Sequence, residues 1–405
     1  MKKSLLAVAA MTAFAGAAHA QSSVQIFGVM DESYTSVKAT DYAAKNSVTQ
    51  GFKDSAWTSN RFGFRLNEDL GGGTSTVAYL ESGMSIISGS PEQAGLGGTG
   101  SVANATAPFN NVREAYLGLD NKQFGRMTIG YQYTPEYFQR ITNIGGSANT
   151  LGVAATTSSN VISVVARGSI DQYNGIRYES PKFMGASVIL AGGTANKQTD
   201  LAYSAAAATT ASSTTQYAPM GLLGGQAQTT TASAKTFGVN WEAGNAKVQF
   251  SSTQETALNV TALNYGSGTT TLTSLLALNT TQLNNTLSGS YDFGVVKVMG
   301  FGAQRSLKNL NSAAAETKDT VYSLGVLAPI TSRITYGANY GMYKETITGT
   351  ATGQGAAAQT SLQYAFSKRT TAYLLAARVW QTGGVALGTT PQAANQYTAG
   401  LCHSF

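Results

Sequence analysis

The chain ends in NQYTAGLCHSF, Asn395 to Phe405. Tyr397, Ala399, Leu401, His403 and Phe405 share one face of an extended strand, and Gln396, Thr398, Gly400, Cys402 and Ser404 share the other. As the edge of a soluble sheet, such a strand would invite pairing with other chains. In a closed barrel it pairs with the first strand, and no edge remains. The alternation therefore predicts a barrel, with the last strand set against residues near Val24–Tyr34.

Composition narrows the setting. Met1 to Ala20 read as a secretory signal: Lys2 and Lys3, a short apolar run from Leu5 to Ala15, and Ala18-His19-Ala20 as cleavage site. The run is too short to cross a bilayer as a helix. The mature chain is expected to begin at Gln21 and to form one continuous barrel through residue 405. Charged residues are only 11% of the chain, well below the usual share for a soluble domain. The net charge of +6 includes Lys2 and Lys3, and no dense Lys/Arg stripe is present to grip phosphates, which argues against nucleic acid. A single cysteine, Cys402, excludes an intramolecular disulfide.

Period-two alternation recurs along the chain. It marks Phe62/Phe64/Leu66, Met127/Ile129/Tyr131/Tyr133, Ile176/Tyr178, Phe237/Val239/Trp241, Ile334 to Met342, and Leu362/Tyr364/Phe366. The opposite phase carries Arg, Glu, Asn, Gln and Gly. Alternation alone would also suit a sandwich. The Tyr- and Phe-rich apolar face, and the lack of any apolar layer left to cover it, favour a membrane barrel.

Connections alternate between short and long. Short turns fall near Leu70–Gly73, Asn121–Gly125, Phe183–Gly185, Ala243–Asn245, Phe293–Gly294, Ala328–Thr331 and Ser367–Arg369. Long loops are expected near Lys38–Ala56, Gly89–Asn110, Glu136–Asp171, Thr194–Ala232, Ala257–Thr281, Leu307–Lys318, Glu345–Ala357 and Gln381–Ala394. Seven turns and eight loops join sixteen strands, an even number with one short rim and one long rim. No helix is predicted.

Five pieces, spread from end to end, carry a resemblance. They are SSVQIFGVMDESY (Ser22–Tyr34), NRFGFRLNEDLGGGTSTVAYLESG (Asn60–Gly83), REAYLGLDNKQFGRMTIGYQYTP (Arg113–Pro135), NGIRYESPKFMGAS (Asn174–Ser187) and the terminal strand. With them the chain resembles the general diffusion porins of Gram-negative outer membranes, in particular the β-proteobacterial type. The resemblance implies an all-β, 16-stranded antiparallel transmembrane barrel whose third extracellular loop folds inward. It implies export to the outer membrane, short turns in the periplasm, a homotrimer among lipid and lipopolysaccharide, and passive passage of small hydrophilic solutes and ions. It also makes Phe405 a signal read by the barrel assembly machinery.

The resemblance further implies a constriction in which wall arginines face acids on the third loop. Wall candidates are Arg61, Arg65 and Arg113, with Arg167 at the loop's return; Arg61 and Arg65 stand on the lumen phase with Gly63. A charge facing lipid at mid-membrane would cost roughly 2–4 kcal/mol, so the lumen is the default. Arg113 shares phase with Ala115, Leu117 and Leu119, which leaves its direction open. Further lumen charges are Glu81, Arg126, Arg177, Glu179, Glu242, Arg333 and Arg378. The loop candidates are Glu136, Arg140, Asn143 and Asp171, and Glu136 and Asp171 are its only carboxylates.

Three departures from the family pattern stand out. Asn143-Ile144-Gly145-Gly146 lacks the acid usual at the loop tip, Gly130-Tyr131-Gln132 loses a wall arginine, and Cys402 and Ser404 replace basic residues on the last strand. The first predicts an electropositive constriction and anion preference or weak selectivity. A substrate-specific channel for anionic or sugar solutes is the alternative. Catalysis has little to work with: His403 is the single histidine after the signal, and no metal-ligand cluster or cofactor motif is present.

Overall fold

The computed structural model describes residues 23–40, 46–87, 112–142, 172–194, 231–260, 278–309, 316–347, 352–382 and 392–405. Strands are β1 (Ser23–Thr40), β2 (Asn46–Asp54), β3 (Arg61–Gly71), β4 (Thr74–Gly83), β5 (Val112–Asn121), β6 (Gly125–Tyr133), β7 (Gln172–Glu179), β8 (Ala186–Thr194) and β9 (Thr231–Ala243). They continue as β10 (Ala246–Val260), β11 (Leu278–Asp292), β12 (Lys297–Asn309), β13 (Glu316–Pro329), β14 (Ile334–Ile347), β15 (Thr352–Ala365), β16 (Thr370–Thr382) and β17 (Gln392–Ser404). One helix, α1 (Pro135–Thr142), lies among them.

These seventeen segments form sixteen staves. The inner half of β1 pairs with β3 over Ser23–Val29, and its outer half pairs with β2 over Glu32–Thr40. β2 and β3 are thus one stave, broken at residues 55–60. Every further pair is antiparallel, and β17 returns to β1 from Val29↔Ser404 to Thr40↔Ala393. Closure runs to the last residue: Gly28 N donates to Phe405 O at 3.1 Å, and Phe405 N donates to Gly28 O at 3.0 Å.

The register sorts the two faces. Val24, Ile26, Leu117, Ile129, Leu190, Leu287, Leu324 and Leu374 all point outward and are exposed. Near the short turns the outward ring is aromatic, with Phe124, Phe183, Tyr291, Phe293, Phe366 and Phe405. That is the pattern of a bilayer belt and its interfacial girdle. The inner face holds buried Ser33, Thr35, Thr253, Asn284, Thr286 and Gln396. It is not uniformly polar: Val37, Phe301, Val321, Tyr343 and Val379 form a buried apolar cluster on the lumenal phase of β1, β12, β13, β14 and β16.

Several expectations need correction. The span Lys38–Ala56 is not a long loop, because β1 runs to Thr40 and β2 starts at Asn46. Val48, Phe52 and Tyr34 face outward there, so the alternation simply continues. Glu345–Ala357 shrinks to the four residues between Ile347 and Thr352, since small Gly and Ala residues fit the ladder that Tyr340 to Thr346 offer. β10 and β11 likewise extend to Val260 and Leu278, and β12 and β13 to Asn309 and Glu316. The expectation of no helix fails at α1.

Candidate pore constriction

The register places Arg61, Gly63 and Arg65 of β3 on the lumenal phase, opposite Val29, Phe27 and Gln25 of β1. On β4 the same face carries Tyr79 and Glu81. Between β4 and β5 the pairing shifts: Glu81 faces Glu114, but Ser82 faces Val112. This bulge adds one residue to β5 and breaks its alternation. Arg113, which regular phase would send outward with Ala115 and Leu117, turns inward and is buried. Its Nε donates to Glu81 Oε1 at 2.7 Å, and Arg61 Nε lies 3.6 Å from Glu81 Oε2. Glu81 is nearly covered, whereas Arg61 keeps 25% of its side chain exposed and Arg65 is exposed.

Helix α1 begins the third long connection and lies inside the barrel. Thr134 Oγ1 accepts from Tyr137 N at 3.3 Å, Pro135 occupies the first turn, Glu136 is the first-turn acid and Arg140 the last-turn base. These are ordinary helix start and stop signals. Thr134-Pro135-Glu136 was therefore a legible start. Glu136 Oε1 accepts from Arg305 Nη2 of β12 at 2.6 Å, with both side chains at most 2% exposed. Ser251 Oγ of β10 donates to Gln139 Oε1 at 3.3 Å. On the other side Arg113 Nη2 donates to the Tyr137 hydroxyl at 3.2 Å, and Tyr137 stacks on Tyr133 at 3.9 Å. The helix thus bridges the β5–β6 wall and the β10–β12 wall.

A second inward element is the 55–60 break between β2 and β3. Asp31, fully buried on the lumenal phase of β1, gathers it. One carboxylate oxygen accepts from Trp57 N at 2.5 Å and Thr58 N at 2.9 Å; the other accepts from the Tyr373 hydroxyl at 2.7 Å. Trp57 packs on Tyr373 with centroids 5.2 Å apart. The break was hidden because Ser55 to Asn60 carry no strong turn signature beside the strand pattern.

Among the other candidates, Arg126 pairs with Asp120 at 2.5 Å and Arg177 with Glu179 at 3.5 Å, both on the lumenal face nearer the short turns. Glu242 sits at the short-turn rim between Lys182 at 2.5 Å and Lys247 at 2.9 Å. Arg333 lies exposed in the turn before β14. Arg378 is a correction. It pairs with Ala358 on the outward phase, exposed, its guanidinium 5.9 Å from the Trp380 ring centroid. Near a stave end, a long arginine reaches the interface while its stem stays apolar. Arg140 is buried against Tyr137, 5.4 Å from its ring centroid, not open to the lumen. Asn143, Arg167 and Asp171, and the signal through Ala20, lie outside the described residues.

A closed antiparallel barrel, apolar outside, with charged walls and an internal helix, is an outer-membrane β-barrel. The chain belongs to the Gram-negative porin family, whose description matches residues 7–384. It is 30% identical over 197 residues to an outer membrane porin protein of Bordetella pertussis, a match covering 46% of each chain. The chain thus spans about half the length of that curated relative. Among solved structures it is similar in fold to the anion-selective porin from Comamonas acidovorans (TM-score 0.67, 19% identity, 95% of this chain and 100% of that one). It is also similar to the trimer form of OmpT from Vibrio cholerae (TM-score 0.58, 14% identity, 95% of this chain and 99% of that one).

Proposed function

We propose that the protein is a passive outer-membrane channel for small hydrophilic solutes and ions, with a preference for anions. The observation that carries this is the accounting of carboxylates at the constriction. The helix acid Glu136 is sealed against Arg305, and Glu81 is spent on Arg113 and Arg61. Glu114 stands half-buried beside Glu81. Glu255, Asp319 and Glu345 are buried, as are Arg305 and Arg140. The charges most open to lumen water near the constriction are Arg61 and Arg65. Charge exposed along a narrow aqueous path sets the local ion population.

In this reading Arg61, Arg65 and Arg113 line the constriction, with Glu81 holding the arginines in place. Arg126, Arg177 and Glu179 are solvated wall charges toward the short-turn rim, which faces the periplasm. Residues 1–20 are a cleaved signal. The outer-membrane chain assembles as a homotrimer, as OmpT does in its trimer form, and Phe405 serves the assembly machinery. Planar bilayers test the channel itself. The purified chain should insert as discrete conductance steps, growing with salt concentration; a silent bilayer with folded protein present contradicts the reading.

A further inference from the structure

Beside Arg65 the lumenal wall carries a group of aromatic side chains that the ion-selective function does not use. Phe27 of β1 lies opposite Gly63 of β3. A Cβ at Gly63 would come within 2.6 Å of the Phe27 ring, so the glycine lets that ring lie across β3 toward β4. There it stacks on Tyr79 at 5.3 Å, and Tyr79 stacks on Tyr116 of β5 at 5.4 Å with planes 9° apart. Three rings on three staves form one continuous stack with Tyr79 in the middle, its edges toward the lumen. The Arg65 guanidinium lies 4.3 Å from the Phe27 centroid and 5.6 Å from the Tyr79 centroid. Arg65 is exposed, and among the described residues no carboxylate forms an ion pair with it. Tyr79 turns its hydroxyl away, donating to Glu81 Oε2 at 2.7 Å.

Resting on the channel reading, we propose that this stack is a weak binding site for planar aromatic monocarboxylates in transit. The carboxylate accepts from the outer edge of the Arg65 guanidinium, the paired-donor geometry arginine offers to carboxylates. The attached ring lies across the lumenal edges of Tyr79 and Tyr116, the edge-to-face arrangement aromatic groups also favour. Glu114 shares this face one step along β5 from Tyr116 and opposite Glu81, which disfavours a second carboxylate on the solute. A wall built only for its own stability has no need of an exposed guanidinium over its rings with no carboxylate paired to it among the described residues. The site is open to lumen water on one side, so capture is brief and release is fast.

Benzoate and cyclohexanecarboxylate have the same charge and similar size, but only benzoate is planar and aromatic. With the full-length protein in planar bilayers, each acid is added to chloride medium and the fractional block of chloride current is read. Benzoate should block at lower concentration than cyclohexanecarboxylate. In Tyr116→Leu, with block normalised to that variant's own open current, benzoate block should weaken about fivefold, the change expected of one lost ring contact. Arg65→Gln, a change at an exposed side chain, should weaken block by both acids. Equal block by the two acids, or undiminished benzoate block in Tyr116→Leu, overturns the site while leaving the chloride channel intact. Saturation-transfer NMR on detergent-solubilised protein reads the same preference without any current. A silent bilayer with benzoate-selective transfer would overturn the channel reading instead, and equal transfer to both acids would overturn the site.

Discussion

Arg113 Nε donates to Glu81 Oε1 at 2.7 Å only because a bulge between Glu81 and Ser82 reverses the phase of β5. Without it, Arg113 would face lipid beside Leu117. The pair decides how much of the carboxylate is left to attract cations. Arg113→Gln removes its nearest partner, leaving Arg61 at 3.6 Å. At about 4 Å in a water-like medium a unit charge is worth about 1 kcal/mol, or about fivefold in ion occupancy. The anion-to-cation permeability ratio should fall by that order in Arg113→Gln and rise in Glu81→Gln. Reversal potentials of both variants check the two signs together.

Glu136 and Arg305 hold α1 to the far wall through a fully buried ion pair. Glu136→Gln leaves a buried guanidinium short of its charge partner, a loss of about 3–5 kcal/mol for such pairs. Asp319, the cross-strand neighbour of Arg305, offsets part of that, so the lower end is expected. The helix should loosen before the barrel does. The expected outcome is noisier single-channel current at a barely changed melting temperature. The double variant Glu136→Gln with Arg305→Met should quieten it, since apolar groups replace buried pairs at little cost.

Gly28 accepts the terminal ring directly: a Cβ there would lie 2.2 Å from Phe405 Cζ. Gly28→Val should therefore displace Phe405 and impair closure of β1 on β17. Deleting Phe405 removes the last two hydrogen bonds of the seam as well. Both changes should lower the yield of folded barrel in the outer membrane more than they lower the conductance of channels that do form. Normal yield of heat-modifiable barrel in the deletion would count against a role for this residue in assembly.

Asp31 ties the 55–60 insert to Tyr373. Asp31→Ala leaves two backbone donors and a phenol without their acceptor, at about 1–3 kcal/mol for each group that stays buried. The insert should then swing away from the wall rather than keep those groups dry. Single-channel conductance should change, and Trp57 fluorescence should shift as its ring leaves Tyr373. An unchanged emission spectrum would show that Asp31 does not hold the insert.

Much of this fold was legible because period-two alternation is set by strand geometry alone. The outward phases of Leu117, Ile129, Tyr336 and Tyr397, and the inward phases of Arg61, Arg65 and Arg177, follow from counting. What counting could not show lies where the period breaks or where partners are distant in sequence. Arg113 needed the bulge, which leaves no composition signal. Arg305 met Glu136 across the lumen, 169 residues away. Arg378 lies outward because both phases of β16 are apolar, with Tyr373, Leu375 and Val379 inward and Leu374 outward, so charge alone does not give its face. β2 falls inside the expected Lys38–Ala56 loop because, with Gly51 and several polar residues, it alternates weakly. The helix start at Thr134-Pro135 is visible in the sequence, but the strand pattern runs up to it and masks it.

The most direct test is the zero-current potential of the wild-type channel across a tenfold KCl gradient. The account predicts a potential of the sign that marks chloride as the more permeant ion, reduced in Arg61→Gln and in Arg113→Gln. A potential of the opposite sign, marking potassium as more permeant in the wild type, would contradict it.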